Sequence, residues 1–141
     1  MIVYFDTSAL LKRYVIETGS DAVAALWKEA TVMATSQVLY AEVAASFARK
    51  RREQPANASL LDQAQQMFRK DWTGLHRIDV DDAVNRQVDE LLGRHPLRGA
   101  DAIHLASALL LRDLVKVSVT FACADIALVN AARAEGLTIA P

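Results

Sequence analysis

The sequence predicts a three-layer α/β/α domain with a central parallel sheet of mostly five strands. Two observations support this class: strand-like and helix-like segments alternate along the chain, and two of the strands are almost wholly apolar, as strands covered on both faces are. The chain has 141 residues and 52% hydrophobic content, enough for a single domain spanning residues 1–141 with its own packed core.

The first half of the chain opens with a strand at residues 2–5, an apolar run that ends at Asp6, and a helix over residues 8–16. After Gly19 and Ser20, a helix over 21–30 leads into a strand at 32–35. The next helix contains Glu42 and runs to about residue 52. A break at Gln54-Pro55-Ala56-Asn57 then separates it from a helix over 58–71.

The second half begins with a weak strand at residues 75–80 and a helix over 82–94, which the His95-Pro96 break ends. A helix over 100–112 follows. The chain closes with a strand at 116–121, a helix over 126–135 and a strand at 137–140. This alternation gives five strands, each followed or preceded by a helix.

Charge and composition exclude several functional classes. The net charge of −1 argues against a globally basic nucleic-acid-binding protein, but it is compatible with a local basic patch beside an acidic one. The one cysteine, Cys123, excludes an internal disulfide and a Cys-rich zinc site, which fits a reducing cytosol. The N-terminal apolar run lacks a preceding basic region, and no apolar stretch is long enough to span a bilayer. We therefore expect a cytoplasmic protein without a membrane segment.

Four acids differ from the other 13 of the chain's 17 acids in having small or apolar neighbours with almost no charge. Asp6 directly follows the first strand, and Asp125 follows the fourth after a short connection. Glu42 is the only charged residue in VLYAEVAASFA, and Asp101 lies in GADAIHLASALLL. In doubly wound sheets the ligand site lies outside the carboxyl ends of the strands, so these carboxylates are candidates to converge there.

Each acid also has an ordinary structural explanation. Asp6 and Asp125 are placed to cap the helices that follow them, and Asp101 is a first-turn acid that interacts with the helix dipole. Glu42 lies in a helix interior, where it either forms a buried ion pair or occupies a locally exposed stripe. Together, however, four converging carboxylates repel one another unless a cation neutralises them, and a site of oxygen ligands suits Mg²⁺ or Mn²⁺.

His104 lies three residues after Asp101 on the same helical face. It is either a metal ligand or proton shuttle, or a packed histidine that forms structural hydrogen bonds.

Basic and aromatic residues are candidates for contacts with a polyanion. Arg49, Lys50, Arg51 and Arg52 form a cluster at the end of the Glu42 helix, where they either contact nucleic-acid phosphates or are solvated cations favoured at a helix C-terminus. Lys12 and Arg13 have the same two interpretations. Trp27 and Trp72 either stack on bases or belong to the core or an interface.

Four segments in order, IVYFDTSALLKRY, SQVLYAEVAASFAR, LRGADAIHLASALLL and VTFACADIALVNAARAEGLTIAP, resemble the PIN-domain ribonucleases, and most of all the bacterial VapC-type toxins of toxin–antitoxin pairs. The resemblance implies a PIN-like fold and places the family's four acids on Asp6, Glu42, Asp101 and Asp125. Thr7 and Ser8 match hydroxyls that orient the first acid or a metal-bound water. Cys123 occupies a position where the family usually has Thr or Ser.

The resemblance implies a Mg²⁺- or Mn²⁺-dependent endoribonuclease with an RNA substrate, a cognate antitoxin and a homodimeric assembly. We expect Asp6 and Asp101 to be the principal metal ligands and Asp125 to complete the shell directly or through a bridging water, while Glu42 binds a second metal or orients the attacking water. Two other classes remain open. One is a catalytically weakened PIN-like module that binds RNA or a partner, and the other is a receiver-like phosphoacceptor domain.

Overall fold

A five-stranded parallel sheet forms the centre of the computed structural model, which describes residues 1–141. The spatial order of the strands is β3-β2-β1-β4-β5, and all four pairings are parallel. The strands are β1 (Ile2–Phe5), β2 (Val32–Ser36), β3 (His76–Ile78), β4 (Val119–Ala122) and β5 (Thr138–Ile139). The predicted parallel sheet of five strands is confirmed.

Seven helices cover the two faces of the sheet. They are α1 (Thr7–Leu10), α2 (Ser20–Glu29), α3 (Leu39–Glu53), α4 (Ala58–Trp72), α5 (Asp82–Arg94), α6 (Gly99–Val115) and α7 (Ile126–Ala134). Helices α1 to α4 pack on one face, where they share a core with Val3 and Phe5, while α5 to α7 pack on the other face with Tyr4. Because successive side chains of a strand point to opposite faces, the central strand contributes to both cores. The three-layer α/β/α architecture is therefore confirmed.

The structure differs from the sequence-based expectation at the first helix. The predicted helix over residues 8–16 is a short α1 continued by a 3-10 turn at Leu11–Arg13. The turn ends at Tyr14, whose ring is buried edge-on against Phe68 and whose hydroxyl donates to Asp71 at 2.9 Å. Anchoring Tyr14 in this way takes the chain out of the helical path.

Three strands are also shorter than expected; the last of them, predicted over 137–140, is the two-residue strand β5. Helix α6 ends at Val115 and is capped by Lys116, which adopts a left-handed conformation with φ 55°. Strand β4 therefore begins at Val119 rather than at residue 116. The weak strand predicted over 75–80 is the three-residue edge strand β3. None of the helices combines the length and apolar composition needed to cross a membrane.

Candidate active site

The strand order creates a switch point between β1 and β4, because the chain moves outward from β1 to β2 and β3 on one side and from β4 to β5 on the other. Phe5 and Ala122 are paired at the carboxyl ends of these strands, and the Asp6 N–H donates to the Ala122 carbonyl at 3.1 Å. Asp6 and Asp125 therefore follow the two strands that flank the switch point. This order differs from the 2-1-3-4-5 order of receiver-like domains, which contradicts that alternative.

A cleft of about 450 Å³ opens at this edge of the sheet. It contains all four acids singled out from the sequence, carried by four different parts of the chain. Twelve residues line it: Asp6, Thr7, Ser8, Leu11, Glu42, Ala45, Ser46, Arg49, Arg98, Asp101, His104 and Asp125.

Asp6 is the most buried of the four acids, with 4% of its surface exposed. One carboxylate oxygen, Oδ1, accepts the Ala9 N–H at 2.9 Å, so Asp6 caps α1 as well as lining the cleft. The Ser8 hydroxyl donates to both carboxylate oxygens, at 2.8 and 2.9 Å. Burial raises the pKa of Asp6, and the hydrogen bonds from Ala9 and Ser8 offset only part of this effect. The ionised form of Asp6 is therefore held at a cost in stability.

Cys123 donates to the second oxygen of Asp6. Its thiol lies 3.2 Å from Asp6 Oδ2 and accepts the Asp125 N–H at 3.3 Å. Burial, together with the charge of Asp6, raises the pKa of Cys123, so the thiol retains its hydrogen at neutral pH. At this position, where the resembled family usually has Thr or Ser, the thiol supplies a weaker donor of the same kind.

Glu42 enters the cleft from the first turn of α3, not from the helix interior expected from the sequence, and is held by polar side chains. Its Oε1 accepts the Thr7 hydroxyl at 2.8 Å and lies 2.7 Å from His104 Nε2. Burial tends to raise the pKa of Glu42, but the hydrogen bonds and charge of His104, with Thr7, outweigh it and leave the pKa below its ordinary value. Glu42 thus faces the same cleft as Asp6, Asp101 and Asp125, with no arginine as its hydrogen-bond partner.

His104 is buried, with 2% of its surface exposed. Its Nδ1 lies 2.9 Å from the Tyr4 hydroxyl, so both ring nitrogens have partners. Sequence reasoning did not identify Tyr4, because a tyrosine in an apolar strand resembles an ordinary core residue.

Asp101 and Asp125 line the cleft from the beginnings of α6 and α7. Asp101 Oδ2 accepts from Arg98 Nε at 3.3 Å, and Asp125 Oδ1 caps α7 by accepting the Leu128 N–H at 2.9 Å. Capping and a place in the cleft are therefore not exclusive for Asp6 or for Asp125.

The donor chemistry of the cleft fits a hard divalent cation. Four carboxylates face it, and no cysteine or histidine pair with zinc spacing accompanies them. As the side chains are placed, no three Asp, Glu, His or Cys residues form a ready-made metal cluster. Each carboxylate instead has a partner within the protein.

Two arginines and no lysine line the acidic cleft. Arg49 is one of the four basic residues predicted to contact RNA; Lys50, Arg51 and Arg52 do not line the cleft, and Arg51 donates to Gln65 at 2.6 Å. The other is Arg98, with 84% of its side chain exposed. Sequence reasoning missed Arg98, although its position three residues before Asp101 was a signal for an i,i+3 pair.

The remaining basic and aromatic candidates are engaged elsewhere. Lys12 donates to the Thr18 carbonyl at 2.7 Å, and Arg13 pairs with Asp71 at 2.9 Å while lying 4.0 Å from the centre of the Trp27 ring. Trp72 packs against Tyr40 and Phe68. None of these candidates lines the cleft.

Known proteins are similar to this chain in sequence and in fold. The PIN domain family profile matches residues 3–118. The chain is 35% identical over 140 residues to Ribonuclease VapC45 of Mycobacterium tuberculosis, covering 99% of this chain and 95% of that protein.

Solved structures of lower identity share the fold. One is VapBC2 from Rickettsia felis bound to a DNA fragment from its promoter, with a TM-score of 0.67, 14% identity and coverage of 99% of this chain and 97% of that one. Another is Mycobacterium tuberculosis VapC20, described as a toxin that cleaves the sarcin-ricin loop, with a TM-score of 0.64, 16% identity and 96% coverage of both chains. The resemblance drawn from the sequence is confirmed: this chain belongs to the PIN-domain family and is VapC-like within it.

Proposed function

We propose that this protein is a metal-dependent endoribonuclease that hydrolyses RNA phosphodiester bonds as the toxin of a toxin–antitoxin pair. The observation that carries the proposal is the convergence of Asp6, Glu42, Asp101 and Asp125 on one cleft at the switch point of the sheet. The 35% identity to a protein named as a ribonuclease supports the substrate class.

The four acids are the residues that would hold Mg²⁺ or Mn²⁺, with Asp6 and Asp101 as the principal ligands, Asp125 completing the shell and Glu42 binding a second metal or orienting the attacking water. A divalent ion at such a site neutralises phosphate charge, activates water for attack and stabilises the leaving oxygen. Hydrolysis of this kind does not use the RNA 2′-hydroxyl as the nucleophile, so its products lack a 2′,3′-cyclic phosphate.

Other residues prepare the acids and the substrate. Ser8 and Cys123 donate to Asp6 and fix the orientation of its carboxylate. Arg49 and Arg98 place positive charge at the rim of an otherwise acidic cleft, where they are suited to contact phosphates on either side of the scissile bond. Their positive charge would attract the RNA polyanion to a cleft that is otherwise negative.

The test is cleavage of single-stranded RNA with Mg²⁺, with Mn²⁺ and with EDTA. We expect cleavage by the parent only with divalent metal, and loss of about 100-fold or more for Asp6→Asn and Asp101→Asn, because each change removes a charged ligand. Asp89→Asn is a matched control, since Asp89 is an exposed acid on α5 outside the cleft.

Several outcomes discriminate between the alternatives. Equal cleavage by the parent and both cleft variants, or products with 2′,3′-cyclic phosphate ends, would assign the activity to a contaminant or to other residues. Metal-dependent RNA binding without cleavage would favour the catalytically weakened PIN-like module.

We further propose an antitoxin partner and a homodimeric assembly in the cytoplasm. Support for the antitoxin comes from a similar fold, that of a toxin–antitoxin complex from Klebsiella pneumoniae, with a TM-score of 0.57 and 17% identity. If the chain is a toxin, its expression alone should inhibit growth of the host cells. Co-expression with the product of a neighbouring small reading frame should restore that growth and give a stable complex of the two proteins. Light scattering of the purified chain tests the dimer, and a monomer mass at micromolar concentration would contradict it.

A further inference from the structure

A buried hydrogen-bond chain runs from the centre of the sheet to the cleft. The Tyr4 hydroxyl lies 2.9 Å from His104 Nδ1, and His104 Nε2 lies 2.7 Å from Glu42 Oε1. Tyr4 is wholly buried and His104 nearly so, whereas the Glu42 side chain is 31% exposed. The chain thus connects a rigid core strand with the only acid of the cleft that α3 contributes.

The direction of the hydrogen bonds follows from the donors available. An ionised carboxylate has no hydrogen to donate, so Nε2 of His104 must carry one and donate it to Glu42 Oε1. The Thr7 hydroxyl donates to the same oxygen at 2.8 Å. Nδ1 has the Tyr4 hydroxyl as its only partner, which fixes the orientation of the ring.

The two oxygens of Glu42 consequently have different surroundings. Oε1 accepts from both His104 and Thr7, while Oε2 has no hydrogen-bond partner in the protein. A glutamate at a cleft mouth has three rotatable side-chain bonds, and fixing one oxygen removes most of that freedom. Oε2 is left for whatever the cleft binds.

We propose that Tyr4 and His104 are positioning residues that hold the Glu42 carboxylate in one orientation, with Oε1 bound by the protein and Oε2 presented to the cleft. We call this arrangement the Glu42 lock. The inference rests on the proposed ribonuclease function for its kinetic consequence, but not for its geometry. It assigns the Tyr4 hydroxyl a role beyond packing, since the ring alone would serve the core through its stacking on Phe121. It also assigns His104 to holding an acid rather than to binding metal.

Paired substitutions test the lock kinetically, at saturating Mg²⁺ with single-stranded RNA. His104→Gln keeps an N–H near the position of Nε2, whereas His104→Leu keeps the bulk and removes the donor. We expect His104→Leu to lower kcat by about 10–100-fold, as the loss of an outer hydrogen-bond partner does at metal sites, with KM for RNA unchanged. His104→Gln should recover most of the lost kcat.

Tyr4→Phe removes only the hydroxyl at the far end of the chain, and we expect it to lower kcat by about 3–10-fold, less than His104→Leu, because the imidazole keeps its bond to Glu42. Tyr14→Phe is the matched control, since it also removes a buried tyrosine hydroxyl bonded to an acid, Asp71, outside the cleft. It should leave kcat unchanged. Unaltered kcat in His104→Leu, or equal losses in His104→Gln and His104→Leu in folded protein, would overturn the proposal.

A spectroscopic readout separates this inference from the proposed function. In ¹⁵N-histidine-labelled, metal-free protein, His104 should show a protonated Nε2 whose hydrogen exchanges slowly with solvent, and Glu42→Gln should shift that signal while Asp101→Asn does not. An Nε2 without hydrogen would refute the lock. An inactive parent that still shows the protonated, slowly exchanging Nε2 would refute the ribonuclease proposal and support the lock.

Discussion

The two rim arginines give a quantitative prediction for the salt dependence of RNA binding. Each cation that contacts a phosphate of a single strand contributes about 0.7 to the slope of log K against log salt. Arg49 and Arg98 are the only arginines or lysines that line the cleft, so Arg49→Ala and Arg98→Ala should each reduce the slope by about 0.7, and the double variant by about 1.4. Breaking the exposed Arg98–Asp101 pair costs little, since such pairs contribute about 0–1 kcal/mol.

Fluorescence anisotropy of a labelled single-stranded RNA measures these slopes. The Asp6→Asn background in EDTA prevents cleavage and keeps divalent ions out of the titration. Over a fourfold rise in NaCl, a slope change of 0.7 corresponds to about a 2.6-fold difference in affinity loss. Arg52→Ala is the control, because Arg52 is exposed on the same helix as Arg49 but does not line the cleft. Equal slopes for the parent, Arg49→Ala and Arg98→Ala would refute the assignment of these arginines to phosphate contacts.

Three further predictions concern single residues. Asp6→Asn should abolish cleavage yet stabilise the metal-free protein at pH 7. Because the pKa of Asp6 is raised in the folded state, the parent loses stability as the pH rises from about 4. Asparagine does not ionise, and it also caps helices. Thermal unfolding curves of the parent and variant that shift in parallel with pH would contradict this. Cys123→Ser should keep the donor to Asp6 and retain cleavage, whereas Cys123→Ala should lower kcat in the same RNA assay; equal rates for both would leave the thiol without a role. Leu105→Ala, at a fully buried position of α6, should reduce the free energy of unfolding in urea by about 2–5 kcal/mol, and a loss below 1 kcal/mol would show that the core closes around the deletion.

Most of the fold was predictable because apolar strand and helix segments alternate clearly along the chain and are separated by recognisable breaks. That these acids line one cleft was predictable for a related reason. Asp6 and Asp125 follow the two strands at the switch point, and Glu42 is the only charge in its apolar segment. The first helix was predicted too long because the anchoring of Tyr14 by Phe68 and Asp71 is a tertiary effect with no local signal.

The contacts that hold the acids were less accessible from sequence. Tyr4 is far from His104 along the chain, and nothing local shows that a strand tyrosine and a helix histidine meet at 2.9 Å. The basic cluster at the end of α3 was prominent in the sequence, but helical geometry directs only Arg49 into the cleft. Which side chain of a cluster faces a site depends on the helix phase relative to the sheet, and one charge run does not define that phase.

The pairing of β1 with β4 also determines when the site can exist during synthesis. Strand β1 leaves the ribosome before the other strands of the sheet, yet its neighbour β4 and the acid that follows it come after β2 and β3 in the chain. Pairing strands so far apart in sequence is slow and has to wait for both partners. The cleft can therefore form only after about residue 125 has emerged from the ribosome. A nascent chain that is shorter than this carries acids of the cleft but has no assembled cleft.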